Sequence, residues 1–478
     1  MEHITEVPVG TFPTERFESV LSPERYQEFQ EGAERARALF EGRVIWNVNS
    51  TPQGGGVAEM LRSLLAYTRA LGVDARWIVI DGNPDFFAIT KRIHNHLHGA
   101  EGDGGPLGED ERRVYEEVTR GNSDEFVELV QPDDVVLVHD PQPAGLVEAV
   151  KNKGATVIWR CHVGIDMAND LARKAWNFLL PYVTPADVYV FSREAYTWEG
   201  LDKNRVVVVA PSIDAFSPKN QELSEDAIDS ILSVAEVVPN GADANPTFIR
   251  EDGSPSRVDR VAKYYDGGAP PPPGAPLVVQ VSRWDRLKDP VGVLQGFAEF
   301  VAPHSDAHLI LAGPSVEAVA DDPEGAEVLN ESRDAWNELP SDVKGQVHLA
   351  TLPMEDGEEN AAIVNAIQRK AAIVVQKSIA EGFGLTVAEG MWKARPVVAS
   401  RIGGIQDQIE EGVSGCLIDD PHDLKAYGEA VRGLLEDPER AERIGQAARE
   451  RVRNQFLGPR HLLQYLALIG TLLDGKET

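Results

Sequence analysis

Cysteine is scarce in this chain of 478 residues, which has only Cys161 and Cys416, far apart in sequence. Two distant thiols exclude a disulfide framework and a cysteine metal cluster, and they fit a reducing compartment. Long apolar runs are also missing. The first twenty residues hold no apolar signal core, and the most apolar late segment, residues 462–473, is too short to span a bilayer. We therefore expect a cytoplasmic protein with no membrane association.

Positive charge is the third deficit, with 46 basic against 77 acidic residues and a formal net charge of −31. Such a surface disfavours nucleic acids and anionic membranes as partners. Any phosphate site in this chain must be built from a few local cations. Basic residues at the ends of strands are therefore more informative here than in an average protein.

Several catalytic motifs are absent as well. The sequence contains no G-x-S-x-G elbow and no Walker lysine motif. His94, His96 and His98 lie close together, but no glutamate follows His94, so the metalloprotease pattern is missing. We expect a structural or solvated role for these histidines and no bound metal.

What the sequence does contain is a repeated alternation of strand and helix patterns. The length suggests two domains, and the alternation predicts an α/β protein with two doubly wound, Rossmann-like domains facing each other across a cleft. We place the domains at residues 1–215 and 216–456, with an apolar tail helix, 457–478, packing back onto the first. The roles of residues 1–42 and 216–275 are not readable from the sequence.

The most informative stretch is residues 377–391, KSIAEGFGLTVAEGM. An apolar strand precedes it, Gly382 and Gly384 break the chain, and a helical pattern starts at Leu385, which together predict an anion site. Glu381 and Glu389 bracket the loop without lying where they would neutralise the anion. Glu389 is placed to bind hydroxyls. An ordinary strand–loop–helix with two solvated glutamates is the alternative.

A second glycine loop, residues 54–56, follows the first predicted strand of the N-terminal half. It suggests another phosphate or sugar contact, although its spacing is not that of the dinucleotide fingerprint and a tight turn without ligand fits equally. Arg283 and Lys288 lie five residues apart at a strand end. They could clamp a diphosphate, with a bidentate fork and a point charge, or form a solvated surface pair.

Polar residues follow several strands of the N-terminal half, at Asn49, Asp140, His162 and Arg193. In open α/β sheets, ligands bind beyond the carboxyl ends of the strands, so these side chains would share one crevice. Each has an ordinary alternative. A lone histidine is more often structural, and Asp140 or Asp166 could simply cap a turn.

Together these residues resemble the donor site of retaining GT-B glycosyltransferases of the glycogen synthase and sucrose synthase kind. That signature joins the Arg283 and Lys288 pair to a glutamate, seven residues and a second glutamate, as at Glu381 and Glu389. More narrowly, the segments NVNSTPQGGGVAEML, HDPQPAGL and RCHVGID are similar to the trehalose glycosyltransferring synthase family. That family transfers glucose from a nucleoside-diphosphate glucose to free glucose and forms α,α-trehalose.

The resemblance implies roles for individual residues. The catalytic group would be Arg283 and Lys288 on the leaving diphosphate, Glu381 on the transferred glucose and His162 beside it. The first domain would hold the acceptor and the second the nucleotide sugar. The remaining donor contacts would come from Gly55, Gly56, Phe383, Gly384, Leu385, Thr386 and, at the ribose, Glu389. The acceptor contacts would come from Asn49, Asp140, Gln142, Asp166 and Arg193.

The resemblance implies no essential cofactor and no metal, with the nucleotide sugar and glucose as the partners, and it leaves stimulation by Mg²⁺ open. We expect a homodimer. This chain has Asp289 and Gly390 where many related enzymes have Gly and Ala, and Asp289 would slightly weaken the cation clamp. A sucrose-type or glycogen-type transferase, a sugar-nucleotide epimerase and a non-catalytic sugar-nucleotide-binding protein are the alternatives. The nucleotide base, the acceptor as glucose or sugar phosphate, and the direction of the reaction stay open.

Overall fold

The chain folds into two compact units, and the computed structural model describes residues 3–52, 55–239, 245–265, 268–316 and 323–477. The N-terminal unit comprises Met1–Ser212 together with Phe456–Thr478, and the C-terminal unit comprises Ile213–Gln455. The division lies close to the sequence-based boundary after residue 215. Each unit is built around its own sheet of mostly parallel strands.

In the N-terminal unit a seven-stranded sheet has the order β1-β3-β2-β4-β5-β6-β7, with only β1 antiparallel to its neighbour. The strands are β1 (Ile4–Val7), β2 (Val44–Asn49), β3 (Asp74–Ile80), β4 (Val135–His139), β5 (Thr156–Cys161), β6 (Val188–Phe191) and β7 (Val206–Val208). The helices are α1 (Pro23–Leu39), α2 (Gly56–Ala70), α3 (Pro84–Leu97), α4 (Glu109–Leu129), α5 (Val147–Asn152) and α6 (Asp170–Val183). Every residue of β4 and β5 is buried, as expected for parallel strands covered on both faces.

The C-terminal unit repeats this design with the order β10-β13-β12-β11-β14-β15-β16, in which only β10 is antiparallel. Its strands are β8 (Thr247–Ile249), β9 (Pro255–Arg257), β10 (Lys263–Tyr264), β11 (Leu277–Val281), β12 (His308–Pro314), β13 (Val347–Leu352), β14 (Ile373–Gln376), β15 (Val397–Ser400) and β16 (Cys416–Ile418). β8 and β9 form a separate antiparallel hairpin.

The helices of the C-terminal unit cover its sheet. They are α7 (Glu225–Val234), α8 (Pro290–Phe300), α9 (Pro323–Asn337), α10 (Ser341–Lys344), α11 (Gly357–Lys370), α12 (Leu385–Trp392), α13 (Ile405–Gln408), α14 (Leu424–Leu435) and α15 (Pro438–Gln455). The chain then returns to the N-terminal unit as α16 (Gly458–Glu477), which packs on α1 and α2. Across the described residues, no helix is long and apolar enough to cross a membrane.

Helix starts follow from local sequence. Ser22, Asn83 and Asn169 cap α1, α3 and α6 by accepting a backbone N–H two or three residues into the helix, and proline follows the first two caps. The core of the N-terminal unit has two layers. Trp46 and Trp159 belong to the layer that faces α3 to α6, and Ile158 packs in the layer that includes α16.

The strand orders place a topological switch point in each sheet. In the C-terminal unit it lies between β11 and β14, and in the N-terminal unit it lies between β2 and β4. At such a point the connections leave the sheet in opposite directions, and a crevice opens beyond the carboxyl ends of the two strands. The predicted donor-site residues of the C-terminal unit follow these strands. In the N-terminal unit Asp140 and Gln142 follow β4, whereas His162 and Arg193 follow the neighbouring strands β5 and β6.

Candidate functional site

The loops after β11 and β14 meet at the switch point of the C-terminal unit. Asp285 shapes the first loop, because its Oδ1 accepts the N–H of Leu287 at 2.8 Å. Gln280 then donates its side-chain amide to the carbonyl of Lys288 at 3.0 Å. These bonds fix the backbone that carries Lys288 over the end of its own strand.

Lys288 and Glu381, which the sequence places in separate motifs, form an ion pair between the two loops. Both side chains are largely buried, so solvent screens the pair only weakly. The sequence did not predict this pairing, and the expectation that neither glutamate would neutralise the bound anion directly stays a prediction. In the folded chain Glu381 itself neutralises Lys288, so any anion bound by this lysine would have to share or replace this partner.

Arg283 is the more exposed member of the predicted clamp, with 67% of its side chain accessible. Its guanidinium donates to Oδ2 of Asp285 at 2.9 Å. Asp285 thus orients Arg283 with one oxygen and the loop backbone with the other. The remaining N–H groups of a guanidinium allow it to bind an anion while it keeps this bond.

Asp289 does not act on the clamp in the way expected from the sequence. Its Oδ2 pairs with the ammonium of Lys377, and its Oδ1 accepts the N–H of Gly292 at 3.1 Å as the cap of α8. Both carboxylate oxygens are engaged, so Asp289 does not pair with Lys288 itself, and a smaller weakening of the clamp by its charge stays a prediction. Lys377 is the counter-charge that the sequence did not reveal.

The glycine loop before α12 is held closely by the elements around it. Gly384 has φ +83 and caps the helix, a conformation that favours glycine. Gln408 donates to the carbonyls of Phe383 at 2.6 Å and Gly384 at 3.2 Å. Leu385 and Thr386 then open the helix, where the first N–H groups have no partner within it. The loop therefore has the strand–glycine–helix geometry of an anion site.

Glu389 lies in the middle of α12 and is only 3% exposed. Its Oε1 is 3.5 Å from Nζ of Lys219. The buried ammonium of Lys393 donates to Oδ1 of Asn220 at 3.0 Å and to the backbone carbonyl of Glu389 at 3.2 Å. Burial lowers the pKa of Lys393 to about 7, although the charge of Glu389 opposes this. No motif or spacing in the sequence pointed to Lys219 or Lys393 as partners of Glu389.

In the N-terminal unit the described part of the glycine loop is Gly55 and Gly56, and residue 54 lies outside the described residues. Gly55 has φ +84 and precedes α2, which starts at Gly56. An added Cβ on Gly55 would meet nothing within 4 Å, so the glycine is required by its backbone angle rather than by crowding.

Asp140 and His162 follow β4 and β5 and are brought together. Asp140 has φ +66, and its Oδ1 accepts the backbone N–H of His162 at 2.7 Å. Burial raises the pKa of Asp140 to about 7, against the opposing effects of this N–H and of Arg160. A carboxyl group in this state can both accept and donate hydrogen bonds near neutral pH.

The ring of His162 is held by a chain of hydrogen bonds. Its Nε2 is 3.1 Å from Nδ1 of His139, whose Nε2 is 2.9 Å from Oδ1 of Asn47. Burial and then the charge of Arg160 lower the pKa of His139 to about 3 and that of His162 well below its ordinary value. Both rings are neutral. With the Asn47 oxygen as acceptor, each Nε2 carries the proton and Nδ1 of His162 is left as an acceptor.

Arg160 is fully buried on β5 and escaped the sequence reasoning, although an arginine in the apolar run TVIWRC was a visible signal. It donates to the carbonyl of Phe191 at 3.1 Å and to Oγ of Ser192 at 3.3 Å. Its charge therefore lies directly beneath the polar ends of β4, β5 and β6. This charge contributes to the lowered pKa of His162 and opposes the rise in the pKa of Asp140.

The other predicted acceptor residues are dispersed around these strand ends. Arg193 and Asp166 form a partly buried ion pair. Asn49 is buried, and its side chain accepts from Nε1 of Trp77 at 2.8 Å and donates to the carbonyl of Thr51 at 2.8 Å. Gln142 is half-buried. Asn49 thus already serves the fold, and a direct acceptor contact for each of these residues stays a prediction.

Within the described ranges, no group of three or more histidine, cysteine or acidic side chains is arranged to hold a metal ion. His94 and His98 pack edge to face with their ring centres 4.9 Å apart, as their helical spacing suggests.

Two protein-family models match the sequence, one in each half. Residues 47–198 match the family "Trehalose synthase, N-terminal domain", and residues 268–451 match "Glycosyl transferases group 1". A trehalose synthase from Pyrococcus horikoshii is 35% identical over 472 residues, covering 99% of both chains. One from Rubrobacter xylanophilus is 36% identical over 459 residues, covering 96% of both.

Solved structures support the fold. An α,α-trehalose 6-phosphate synthase from Burkholderia multivorans matches with a TM-score of 0.63 at 15% identity, over 90% of this chain and 99% of that one. At this identity the likeness concerns the fold alone. The near-complete coverage at about one-third identity with the trehalose synthases carries the assignment. The chain belongs to the trehalose synthase family of GT-B glycosyltransferases.

Proposed function

We propose that this protein is a retaining glucosyltransferase that makes α,α-trehalose from a nucleoside-diphosphate glucose and free glucose. The observation that carries the proposal is the pairing of Lys288 with Glu381 at the switch point of the C-terminal unit, beside Arg283 and the glycine loop. This arrangement offers cations to a diphosphate and a carboxylate to sugar hydroxyls at one place.

The chemistry follows from where charge develops. The bond from the anomeric carbon to the phosphate oxygen breaks, and the electron pair leaves with the nucleoside diphosphate. Arg283, Lys288 and the first amides of α12 stabilise that negative charge. The anomeric carbon, which becomes positive, forms a bond to the anomeric hydroxyl oxygen of the acceptor glucose. The proton of that hydroxyl goes to the leaving phosphate oxygen.

We assign no carboxylate as a covalent nucleophile. Double displacement needs a carboxylate free to attack the anomeric carbon, whereas Glu381 is held by Lys288. The proposal is therefore front-face transfer with retention of configuration. Glu381 would bind hydroxyls of the transferred glucose, with the loop amides of residues 383–386, and Glu389 would bind the ribose hydroxyls.

On the acceptor side, the neutral His162 would lie beside the transferred sugar and offer its Nδ1 to a hydroxyl. Asp140, Gln142, Asp166 and Arg193 are the proposed acceptor contacts, while Asn49 would act mainly through the backbone of Thr51 that it supports. Gly55 and Gly56 would approach the phosphates with their backbone. We also propose a cytoplasmic homodimer that needs no metal for turnover.

The test is product analysis on the purified protein. It is incubated with glucose and, in turn, with UDP-, ADP-, GDP- and dTDP-glucose, and the products are identified by NMR. The proposal expects α,α-trehalose and one equivalent of nucleoside diphosphate. A parallel incubation with maltose alone separates transfer from isomerisation. Trehalose formed from maltose without nucleotide, or no disaccharide with any donor, would overturn the proposal.

A further inference from the structure

The loops after β11 and β14 are joined by more than the pair between Lys288 and Glu381. The N–H of Ile379 donates to the carbonyl of Leu287 at 2.7 Å. Two residues further along the first loop, Asp289 pairs with Lys377. The two loops are therefore connected by a backbone bond and two ion pairs, formed by residues 287–289 on one side and 377–381 on the other.

Lys377 is the most buried member of this set, with none of its side chain accessible. Its ammonium donates to the carboxylate of Asp289 and to the backbone carbonyl of Pro421 at 2.7 Å. A buried ammonium is costly to desolvate unless it is paired and hydrogen-bonded. Its position is thus determined by Asp289, and the position of Asp289 by Lys377.

Asp289 also has an unusual backbone, with φ +49 in the left-handed region. Such a conformation is rare for residues other than glycine, although Asp and Asn adopt it most readily. Asp289 keeps it while capping α8 through Gly292 and while bound to Lys377. These three constraints together set the direction in which the preceding residue, Lys288, leaves the loop.

We propose that Lys377 and Asp289 form a positioning pair for the diphosphate clamp. Lys377 holds the carboxylate of Asp289, so Lys288 is left to Glu381 and to the incoming phosphate. Neither member touches the donor. The proposal rests on the function proposed above and adds two residues to it, neither of which the sequence assigned a part in donor binding.

The charges of the paired side chains predict the direction in which each substitution changes diphosphate affinity. The four side chains Lys288, Glu381, Lys377 and Asp289 are balanced, with two positive and two negative groups. Removing the charge of Lys377 leaves an acid in excess beside a site for an anion. Removing the charge of Asp289 leaves a cation in excess. The two changes must therefore shift the affinity for a nucleoside diphosphate in opposite directions.

The experiment titrates UDP and ADP into the full-length protein and into the variants Lys377→Met, Asp289→Asn and the double variant, using calorimetry. Asn keeps both the helix cap and the tolerance for a left-handed backbone, so Asp289→Asn removes the charge with the least change to the loop. The melting temperature of this variant is recorded as well, because the buried Lys377 loses its counter-charge. We expect Lys377→Met to weaken binding about tenfold or more, and Asp289→Asn to tighten it. The double variant should return to within about threefold of the parent.

Turnover is measured in parallel, with donor and glucose varied separately. We expect Lys377→Met to lower kcat about tenfold to a hundredfold because the clamp lysine is displaced or diverted, with KM for glucose unchanged. Lys370→Met is the matched control. It breaks another lysine–aspartate pair of the same unit, with Asp229 at 2.6 Å, and should leave kcat and diphosphate affinity at parent values.

Equal weakening of diphosphate binding by both single variants, or no change in either, would show that the pair serves stability alone. If Lys377→Met does not fold, the decision rests on Asp289→Asn and on the double variant, which buries no unpaired charge. Failure of the proposed function is seen separately, because the parent protein would then bind diphosphate in the titration and make no trehalose in the product analysis.

Discussion

Replacing Lys288 with Met removes the ammonium of the clamp and keeps most of its aliphatic stem. Unit charges about 4 Å apart interact by about 4 kcal/mol at the effective dielectric typical of a protein surface. The side chain of Lys288 is only 16% exposed, so solvent compensates little for the loss. One preorganised donor is worth about 10²–10³ in kcat by mutagenesis, which agrees with this energy. We therefore expect kcat to fall about a hundredfold or more.

The assay is release of nucleoside diphosphate at saturating donor and glucose, with the melting temperature recorded for each variant. Lys288→Met also leaves Glu381 without this partner, so the double variant Lys288→Met, Glu381→Gln is measured beside it to separate the two effects. The kcat of Arg283→Ala should fall by about a hundredfold or more for the same electrostatic reason.

Arg286→Ala is the control, since Arg286 lies between the two clamp residues in sequence. Its guanidinium pairs with Glu327 at 3.0 Å and Glu331 at 2.7 Å on α9, so it belongs to a surface ion-pair group. Its loss should leave kcat within about threefold of the parent. A folded Lys288→Met protein whose kcat also stays within about threefold of the parent would refute the role assigned to the ammonium.

Three further predictions follow from the same unit. Glu389→Gln should raise KM for the donor about tenfold, with kcat little changed, because a hydrogen bond to a charged group contributes about 1.5–3 kcal/mol; steady-state kinetics with varied donor checks this. Gly404→Ala should lower the melting temperature and donor affinity, since its Cβ would lie 2.7 Å from Cα of Phe383, whereas Gly345→Ala meets nothing within 4 Å and should do neither. Finally, the pKa of Lys393 is lowered to about 7 in the folded chain, so the folded state loses this proton first as pH rises. Between pH 7 and the ordinary lysine pKa near 10.5 the unfolded state binds more protons than the folded state, so the free energy of unfolding of the parent should rise with pH relative to that of Lys393→Met. Thermal melts of both proteins from pH 6 to 9 measure this difference, and a difference that does not change with pH would contradict the prediction.

Much of the fold was predictable because it rests on local signals. The alternation of apolar strands and amphipathic helices predicted two Rossmann-like sheets, and GFGL predicted a glycine break before a helix. Gly384 at φ +83 and the start of α12 at Leu385 agree with that prediction. Strands such as β1 and β16 were missed. Each is short, with four and three residues, so neither shows a period that can be told from chance.

The contacts that define the site were less accessible to sequence reasoning. Lys377 and Asp289 lie 88 positions apart, and only the folded sheet brings β11 beside β14. The sequence places Asp289 beside Lys288, whereas in the folded chain its carboxylate pairs with Lys377, which follows another strand. Lys219 and Glu389 meet in the same way. Residue type and spacing predict which groups collect at a strand end, but they do not predict which of those groups neutralise each other.

The return of the chain to its first unit has a consequence for synthesis. Ile469 and Leu473 of α16 complete the apolar layer that contains Ile45, Leu137 and Ile158. A ribosome makes α16 only after the whole of Ile213–Gln455. The earlier unit must therefore wait with one face of its core uncovered while the later unit is already able to fold. The N-terminal unit is therefore completed after the C-terminal unit has been made, and a nascent chain that lacks α16 exposes an apolar surface that chaperones would recognise.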